Sequence, residues 1–395
     1  MSSGGETHRI TLLFNANKVY DRRVIQGIGE YLHGSESRWD VYLDEDFRYR
    51  ERTLEVWAGD GIIADMDDPR IEEAVADLSF PVVGVGASYA GRDKYPPVPY
   101  VATDNDGIAD VAFEHLKSKG LEHFAFYGLP ESPFHRWAAE RERAFVERVD
   151  RAGYRAAVYR GHLTRPDRWT EALEDLSHWL RSLPRPLGIM AVTDSRARHL
   201  LQVCRGPGMM VPDEVAVIGV DNDEVARFVS PVPLSSVEQA TRDMGHRAAR
   251  LLHRMLSGFQ MKREPTVVPP VGVVARQSSD YQAAQDPDVI QALHFIRRQA
   301  CRGIKVEHVL TFVGRSRSTL ERRFRAERGH SIHHEIHNHR LEQACELLRA
   351  TELPMAEVAD RCGFPSVQYL YTVFKKHAGV TPLAFRRAVP PAGAP

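Results

Sequence analysis

The C-terminal quarter of the chain repeats one pattern twice, and that repetition limits the fold more than any other feature of the sequence. Gly314-Arg315-Ser316 is followed by Leu320 and Phe324. Arg340-Leu341, Ala344 and Leu347-Leu348 come next. Val358-Ala359, Gly363-Phe364, Leu370, Phe374-Lys375-Lys376, Gly379 and Thr381-Pro382 complete the pattern. In the second copy Val367, Leu370, Tyr371 and Phe374 fall at i, i+3, i+4 and i+7, the spacing of one apolar helix stripe. In the first, Leu320 and Phe324 take the inward positions. Gly314 and Gly363 stand in the turns before these helices, where a left-handed backbone is often needed. The stretch around Arg340–Leu348 predicts one longer bridging helix. Two helix-turn-helix units joined by a helix make an all-α reader of double-stranded DNA.

The charge distribution agrees. Residues 289–390 hold 17 lysines and arginines against 9 acidic residues, a net +8, whereas the rest of the chain holds 35 against 44. A basic module on an acidic one suits a highly negative partner at one end only. The outward helix positions supply Arg317, Ser318, Gln368 and Thr372 for base edges, because Arg and Gln bond guanine and adenine in pairs and hydroxyls add single bonds. Glu321, Arg322, Ser366 and Tyr369 share those outward faces. Arg315, Arg340, Lys375 and Lys376 sit nearer helix ends, where phosphate contact sets register without reading sequence.

Residues 9–276 alternate short apolar runs with helical patterns. The runs are Ile10–Phe14, Trp39–Leu43, Gly61–Ala64, Pro81–Val85, Tyr100–Ala102, Phe124–Tyr127, Gly188–Val192 and Val215–Val220. Helices are expected through Arg22–Leu32 and Ala109–Lys119. Continuous apolar strands between helices predict parallel sheets covered on both faces. Their number predicts two doubly wound lobes. We therefore expect a sensor domain over 1–276, a linker over 277–288, the DNA domain over 289–390 with a helix opening at Pro287-Asp288, and a disordered tail over 391–395. Gly84-x-Gly86 reads as a two-glycine turn.

Ligands of such sheets lie beyond the carboxyl ends of the strands. Asn15, Asn17 and Asp21 follow the first strand, Asp104 and Asn105 follow Ala102, Asp194 follows Val192, and Asp221 follows Val220. A sugar site needs such acceptors, an arginine donor and an aromatic platform. Trp137, Tyr89 and Trp57 are candidate platforms. The competing reading of each Asp or Asn is a helix cap or turn.

With these residues in view, 289–388 resembles the AraC family of bacterial transcription factors. Leu370 stands where that family usually has an aromatic, and Thr372 where Arg or Lys is common, which affects the bases read and not the fold. A wider resemblance runs from about Arg9 to Arg387, to regulators of this family that carry a LacI-like sensor domain in front of the DNA domain. It is carried by the stretches Arg9–Lys18, Phe124–Ser132, Ala191–Asp194 and Ile218–Asn222. The fold it implies is a two-lobed, periplasmic-binding-protein-like α/β sensor followed by the double helix-turn-helix domain. It also implies D-xylose as the effector, activation of xylose catabolic genes at promoter DNA, contact with RNA polymerase by an activator, and a homodimer. By the same resemblance Arg141, spaced before Ala144-Phe145, corresponds to the arginine that contacts sugar hydroxyls, and Asp221 to its acidic partner. Another pentose or a purine remains an alternative ligand, and a sugar-acting enzyme with a DNA-binding appendage the alternative class.

Other signals are weaker. Cys204, Cys301, Cys345 and Cys362 form no Cys-x-x-Cys pair and read as reduced thiols. Met1–Arg9 lacks an apolar signal core, and no apolar run approaches the ~18 residues of a membrane span. A cytoplasmic protein with no membrane partner is expected. His330, His333, His334, His337 and His339 read as an exposed helix face, and Asp44-Glu45-Asp46 as a solvated loop. No catalytic arrangement, metal site or cofactor site is expected.

Overall fold

The computed structural model describes residues 7–35, 37–43, 59–75, 78–89, 91–205, 209–230, 232–281, 284 and 286–388. Trp57, Asp44–Asp46 and the expected tail over 391–395 lie outside them. The chain divides into two units, Met1–Tyr281 and Gln282–Pro395.

The first unit runs β1 (His8–Leu13), α1 (Val19–His33), β2 (Trp39–Leu43), β3 (Gly61–Asp65), α2 (Pro69–Val75), β4 (Val82–Ala87), β5 (Tyr100–Thr103), α3 (Asn105–Ser118), β6 (His123–Tyr127), α4 (Arg136–Arg151), β7 (Ala156–Tyr159), α5 (Trp169–Ser182), β8 (Leu187–Ala191), α6 (Asp194–Arg205), β9 (Val215–Val220), α7 (Glu224–Val229), β10 (Ser235–Glu238), α8 (Thr241–Leu256), β11 (Thr266–Val268) and β12 (Gly272–Val274). Two six-stranded sheets result, in the orders β11-β5-β4-β3-β1-β2 and β12-β10-β9-β8-β6-β7. Every pairing is parallel except that of β12 with β10.

The cause is the hydrophobic pattern. β3, β4, β8 and β9 are buried along their whole length, as continuous Val/Ile runs under helices on both faces should be. Gly84-x-Gly86 proves to be part of β4 and not a turn. A side chain on Gly84 would meet the Tyr100 ring at 2.7 Å, and one on Gly86 the Tyr100 hydroxyl at 2.5 Å. These glycines make room for a fully buried tyrosine on the neighbouring strand.

The chain passes between the lobes three times. β5 lies in the first sheet while α3, the next helix, packs in the core of the second. β10 lies in the second sheet, yet α8 packs on the core of the first. β11 then closes the first sheet and β12 the second. Residues 277–281, expected in the linker, belong to the first unit. Ser278 and Ser279 are fully buried; Ser278 donates to the Val217 carbonyl at 2.6 Å and Ser279 to Ser235 Oγ at 2.7 Å. A run of polar residues was buried here because the starts of β9 and β10 supplied its hydrogen-bond partners.

The second unit is helical: α9 (Pro287–Gln299), α10 (Val306–Val313), α11 (Arg317–Arg328), α12 (Ile332–Ala350), α13 (Met355–Arg361), α14 (Val367–Ala378) and α15 (Pro382–Ala388). Helix α9 opens at Pro287 as expected, capped by Asp286, whose side chain accepts from the Asp288 amide. Two cores form, one around Leu320 and Phe324 and one around Leu370 and Phe374. Helix α12 contributes to both, with Ile332 and Ile336 in the first and Leu341, Ala344 and Leu348 in the second. Its 19 residues span about 28 Å at the α-helical rise.

Candidate functional site

The ends of the parallel strands enclose a cavity of about 400 Å³ in the first unit. Its first wall comes from the lobe of β1: Asn17, Lys18 and Tyr20 after β1, Asp65 and Asp67 at the end of β3, Ala87 ending β4, and Thr103 ending β5. Its second wall comes from the lobe of β6: Trp137 and Arg141 on α4, Thr193 after β8, and Asp221 after β9. Asn105 and Gln239 stand where the chain crosses between lobes. This is the position that strand direction dictates for a ligand in such sheets.

Arg141 organises the second wall. It is 3% exposed and donates to Asn105 Oδ1 at 3.1 Å, to the Val192 carbonyl at 2.6 Å and to Gln239 Oε1 at 3.5 Å. Its guanidinium lies 5.4 Å from the centre of the Trp137 ring. Burial lowers its affinity for the proton, against the pull of Asp221. Gln239 in turn donates to Asp221 Oδ1 at 2.6 Å. Burial pushes the Asp221 carboxyl up to about 6, with Arg141 and Gln239 opposing. Asn105 is fully buried, and its Nδ2 has no hydrogen-bond partner among the described residues. A buried donor left open costs about 1–3 kcal/mol, which a ligand oxygen would recover.

The first wall is acidic. Lys18 Nζ lies 3.0 Å from Asp65 Oδ2. Burial disfavours its charge, but Asp65, Asp21 and Asp67 outweigh that and hold the ammonium charged. Asp67 accepts from the Ala87 amide at 2.9 Å and from the Arg136 guanidinium. Burial and the nearby Asp65 push the Asp67 carboxyl up to about 6 against Arg136. Arg136, at the start of α4, reaches across the lobes. It donates to the Ser88 carbonyl at 2.9 Å and stacks 3.6 Å from the centre of the Tyr89 ring. Arg23 on α1 reaches the other way, to the carbonyls of Asp221 and Asn222.

Of the ligand residues expected from sequence, Asn17, Asn105, Trp137, Arg141 and Asp221 line the cavity. Asn15, Asp21, Asp104 and Asp194 are absent from its lining and serve the framework. Asp104 caps α3, accepting from the Gly107 amide at 2.8 Å. Asp194 is buried and accepts from Ser236 Oγ and from the Asp223 amide, both at 2.7 Å. Asp21 accepts from the Asn15 amide at 2.6 Å, and Asn15 Oδ1 from the Asn17 amide at 3.0 Å. Tyr89 stacks on Arg136 outside the lining. Sequence reasoning passed over Lys18, Asp65, Asp67, Thr193 and Gln239. The strand-end rule would have found Asp65 and Asp67 after Gly61–Ala64, whereas Gln239 carries no local signal.

In the second unit α11 and α14 each follow a glycine with left-handed backbone, Gly314 at φ 70° and Gly363 at φ 71°. Both begin at a serine cap: Ser316 accepts from the Thr319 amide at 3.4 Å and Ser366 from the Tyr369 amide at 3.1 Å. Leu320, Phe324, Leu370 and Phe374 are fully buried, so the opposite faces are free. Arg315, Arg317, Ser318 and Arg322 are exposed around α11, and Ser366, Gln368, Tyr369, Thr372, Lys375 and Lys376 around α14. Two expected positions differ. Arg340 is 6% exposed and donates to the carbonyls of Ala300 at 2.8 Å and Ile304 at 2.7 Å. It braces the bridging helix against the first reader unit and is not presented to a phosphate. Glu321 is half-buried, paired with Arg325 at 3.4 Å.

The histidines of α12 divide. His333 and His334 are exposed, while His330 and His339 lean on the buried Glu335. Burial opposes its ionisation, but the two histidines and Arg328 hold the Glu335 carboxyl down at about 2. Among the described residues no group of three or more His, Cys, Asp or Glu side chains is arranged to hold a metal. No helix of the described residues is long and apolar enough to cross a membrane.

A two-lobed α/β unit crossed three times by the chain, with a cavity between its lobes, followed by paired helix-turn-helix units, defines a ligand-sensing transcriptional regulator. Family comparison matches three stretches: an XylR N-terminal domain over residues 9–106, a periplasmic binding protein-like domain over 113–279 and a helix-turn-helix domain over 310–388. The chain is 53% identical over 379 residues to the xylose operon regulatory protein of Escherichia coli (strain K12), covering 96% of this chain and 97% of that one. It is 45% identical to the protein of the same name from Haemophilus influenzae, covering 96% and 98%. A solved structure described as a xylose-binding transcription activator superposes with a TM-score of 0.88 at 52% identity, covering 97% of this chain and 99% of that one. The chain belongs to the xylose operon regulatory protein family and is a transcriptional regulator with a helix-turn-helix domain.

Proposed function

We propose that the interlobe cavity binds D-xylose and that its occupancy controls the DNA unit, making this chain a D-xylose-dependent activator of xylose catabolic genes. The observation that carries the reading is the makeup of the walls. Asp65, Asp67 and Asp221 offer acceptors, Arg141, Lys18 and Asn105 offer donors, and Trp137 offers an apolar ring. A neutral polyhydroxylated ring requires that combination. Sugar bridging the walls binds the closed arrangement better than the open one, and that difference is the energy available to the switch. Asn17, Trp137, Arg141 and Asp221 are the side chains we assign to the sugar, with Asp67 as a further acceptor.

On the DNA side we assign base reading to Arg317, Ser318, Gln368 and Thr372, and phosphate contact to Arg315, Lys375 and Lys376. A homodimer would bring two such readers to paired half-sites and raise their effective concentration without a new contact, and an activator would then engage RNA polymerase. A linker shortened to the residues around 282–286 fits the boundary between the units. Thermal denaturation against a panel of sugars tests the effector. D-xylose should raise the apparent stability by about 2.7 kcal/mol at a hundredfold excess over Kd. A shift with ribose and none with D-xylose would reject the assignment.

A further inference from the structure

The second unit begins at Gln282, and the first turn of chain described within it is fastened at two points along α11 and at a third just before it. The Asp286 amide donates to Glu327 Oε1 at 2.8 Å, near the end of α11. The Asp286 carboxylate pairs with Arg323 at 3.1 Å, in its middle. Asp288 Oδ2 accepts from Arg323 at 2.9 Å and from Arg315 Nε at 2.8 Å, just ahead of the Ser316 cap. Asp288 is 8% exposed. Behind these polar contacts, Val289, Ala292 and Leu293 of α9 share a core with Leu320 and Phe324 of α11. The segment that arrives from the sensor and the first reader helix are thus a single mechanical piece.

Two attachments along the helix and a third just ahead of its cap fix its direction as well as its position. Displacing the incoming chain must either carry α11 with it or strip the buried Asp288 carboxylate of both its arginines, and an uncompensated buried charge is costly. Carrying the helix is the easier response. Arg315 and Arg317 would move with it, and their distance from the phosphates and bases would change.

We infer that Asp286 and Asp288 are positioning residues that pass the sugar signal to the first reader helix. This rests on the D-xylose reading above. Neither residue touches DNA in this scheme; they act through Arg315 and Arg323.

The test uses the full chain with Asp286→Asn and Asp288→Asn, singly and together. Asparagine still caps α9 at position 286, so the helix is retained while the charged pairs are lost. Two readouts are taken. The first is hydrogen exchange without sugar. The amides of α11 in the double variant should exchange at least about tenfold faster than in the original chain, with those of α14 unchanged. Unchanged exchange in α11 overturns the fastening. The second is the ratio of DNA dissociation constants without and with D-xylose. Coupling of ordinary strength gives about 5–150-fold in the original chain, and the double variant should fall below about twofold while its sugar affinity holds. A double variant that keeps the original ratio overturns the inference. So does one that loses DNA binding equally in both states, since that would make the carboxylates part of the DNA surface. An original chain whose DNA affinity ignores D-xylose sinks the effector reading instead, and hydrogen exchange still decides the fastening.

Discussion

Gln239 Nε2 donates to Asp221 Oδ1 at 2.6 Å, joining the connection between β10 and α8 to the lobe of β6 inside the cavity. Gln239 also accepts from Arg141, so a crossing residue is held between the buried Arg141 guanidinium and the half-buried Asp221 carboxyl. In the proposed sugar response, a ligand that bonds Asp221 would be felt at the crossing through Gln239.

Asp221→Ala should cost about 1.5–3 kcal/mol of sugar affinity, the value of a hydrogen bond to a charged group, or about 10–150-fold in Kd. Calorimetry measures it, and far-ultraviolet circular dichroism should show the fold intact. An unaltered Kd would remove Asp221 from the sugar site.

Burial opposes the charge of both Asp67 and Asp221 and pushes each carboxyl up to about 6. An acid whose folded value is raised binds protons more tightly folded than unfolded. Its stabilising contribution is full below about pH 4 and is lost as pH rises through about 6. Melting of the empty sensor should therefore drop across that window. Sugar hydroxyls bond best to the ionised forms, so D-xylose affinity should rise over the same interval. An affinity flat between pH 5 and 7 would contradict acceptance by these carboxylates.

On DNA, Gln368→Ala should lose about 1–3 kcal/mol of discrimination at one base pair, whereas Lys375→Ala should weaken all sequences alike and lower the salt slope by about 1. Binding titrations on a set of single-base operator variants, repeated at several salt concentrations, separate the two. A uniform loss for Gln368→Ala would contradict base reading.

Gly314 and Gly363 share one backbone conformation but not one environment. A side chain on Gly314 meets nothing within 4 Å, while one on Gly363 would lie 2.6 Å from the Cys301 carbonyl oxygen. Gly314→Ala should cost about 1–2 kcal/mol for the left-handed backbone. Gly363→Ala should add a further ~1–3 kcal/mol of steric strain. Equal shifts in denaturant midpoint for the two variants would show that the Cys301 backbone moves aside freely.

The order of elements was legible where burial on both faces wrote an uninterrupted apolar run, as in β3, β8 and β9. The pattern failed where it was short or polar. β11 and β12 have three residues each, and β10 is Ser-Ser-Val-Glu, its serines satisfied by partners far along the chain. β7 is an edge strand with no fully buried residue. The cavity was half legible. Asp221 and Asn17 follow strands and point into it, but Asp104 and Asp194 follow strands and turn to cap or brace backbone, and the local sequence does not distinguish the two. Arg340 shows the same limit in the DNA unit, since a positive charge near a helix end can face a phosphate or a carbonyl.

Because β11 supplies the last strand of the first sheet from beyond residue 265, that sheet cannot finish until nearly all of the sensor has left the ribosome. Until then β5, the strand it covers, presents an open edge of unpaired amides and carbonyls. Chains cut short ahead of Thr266 would carry that sticky margin permanently, so such fragments are expected to precipitate or be degraded rather than persist as separate ligand binders.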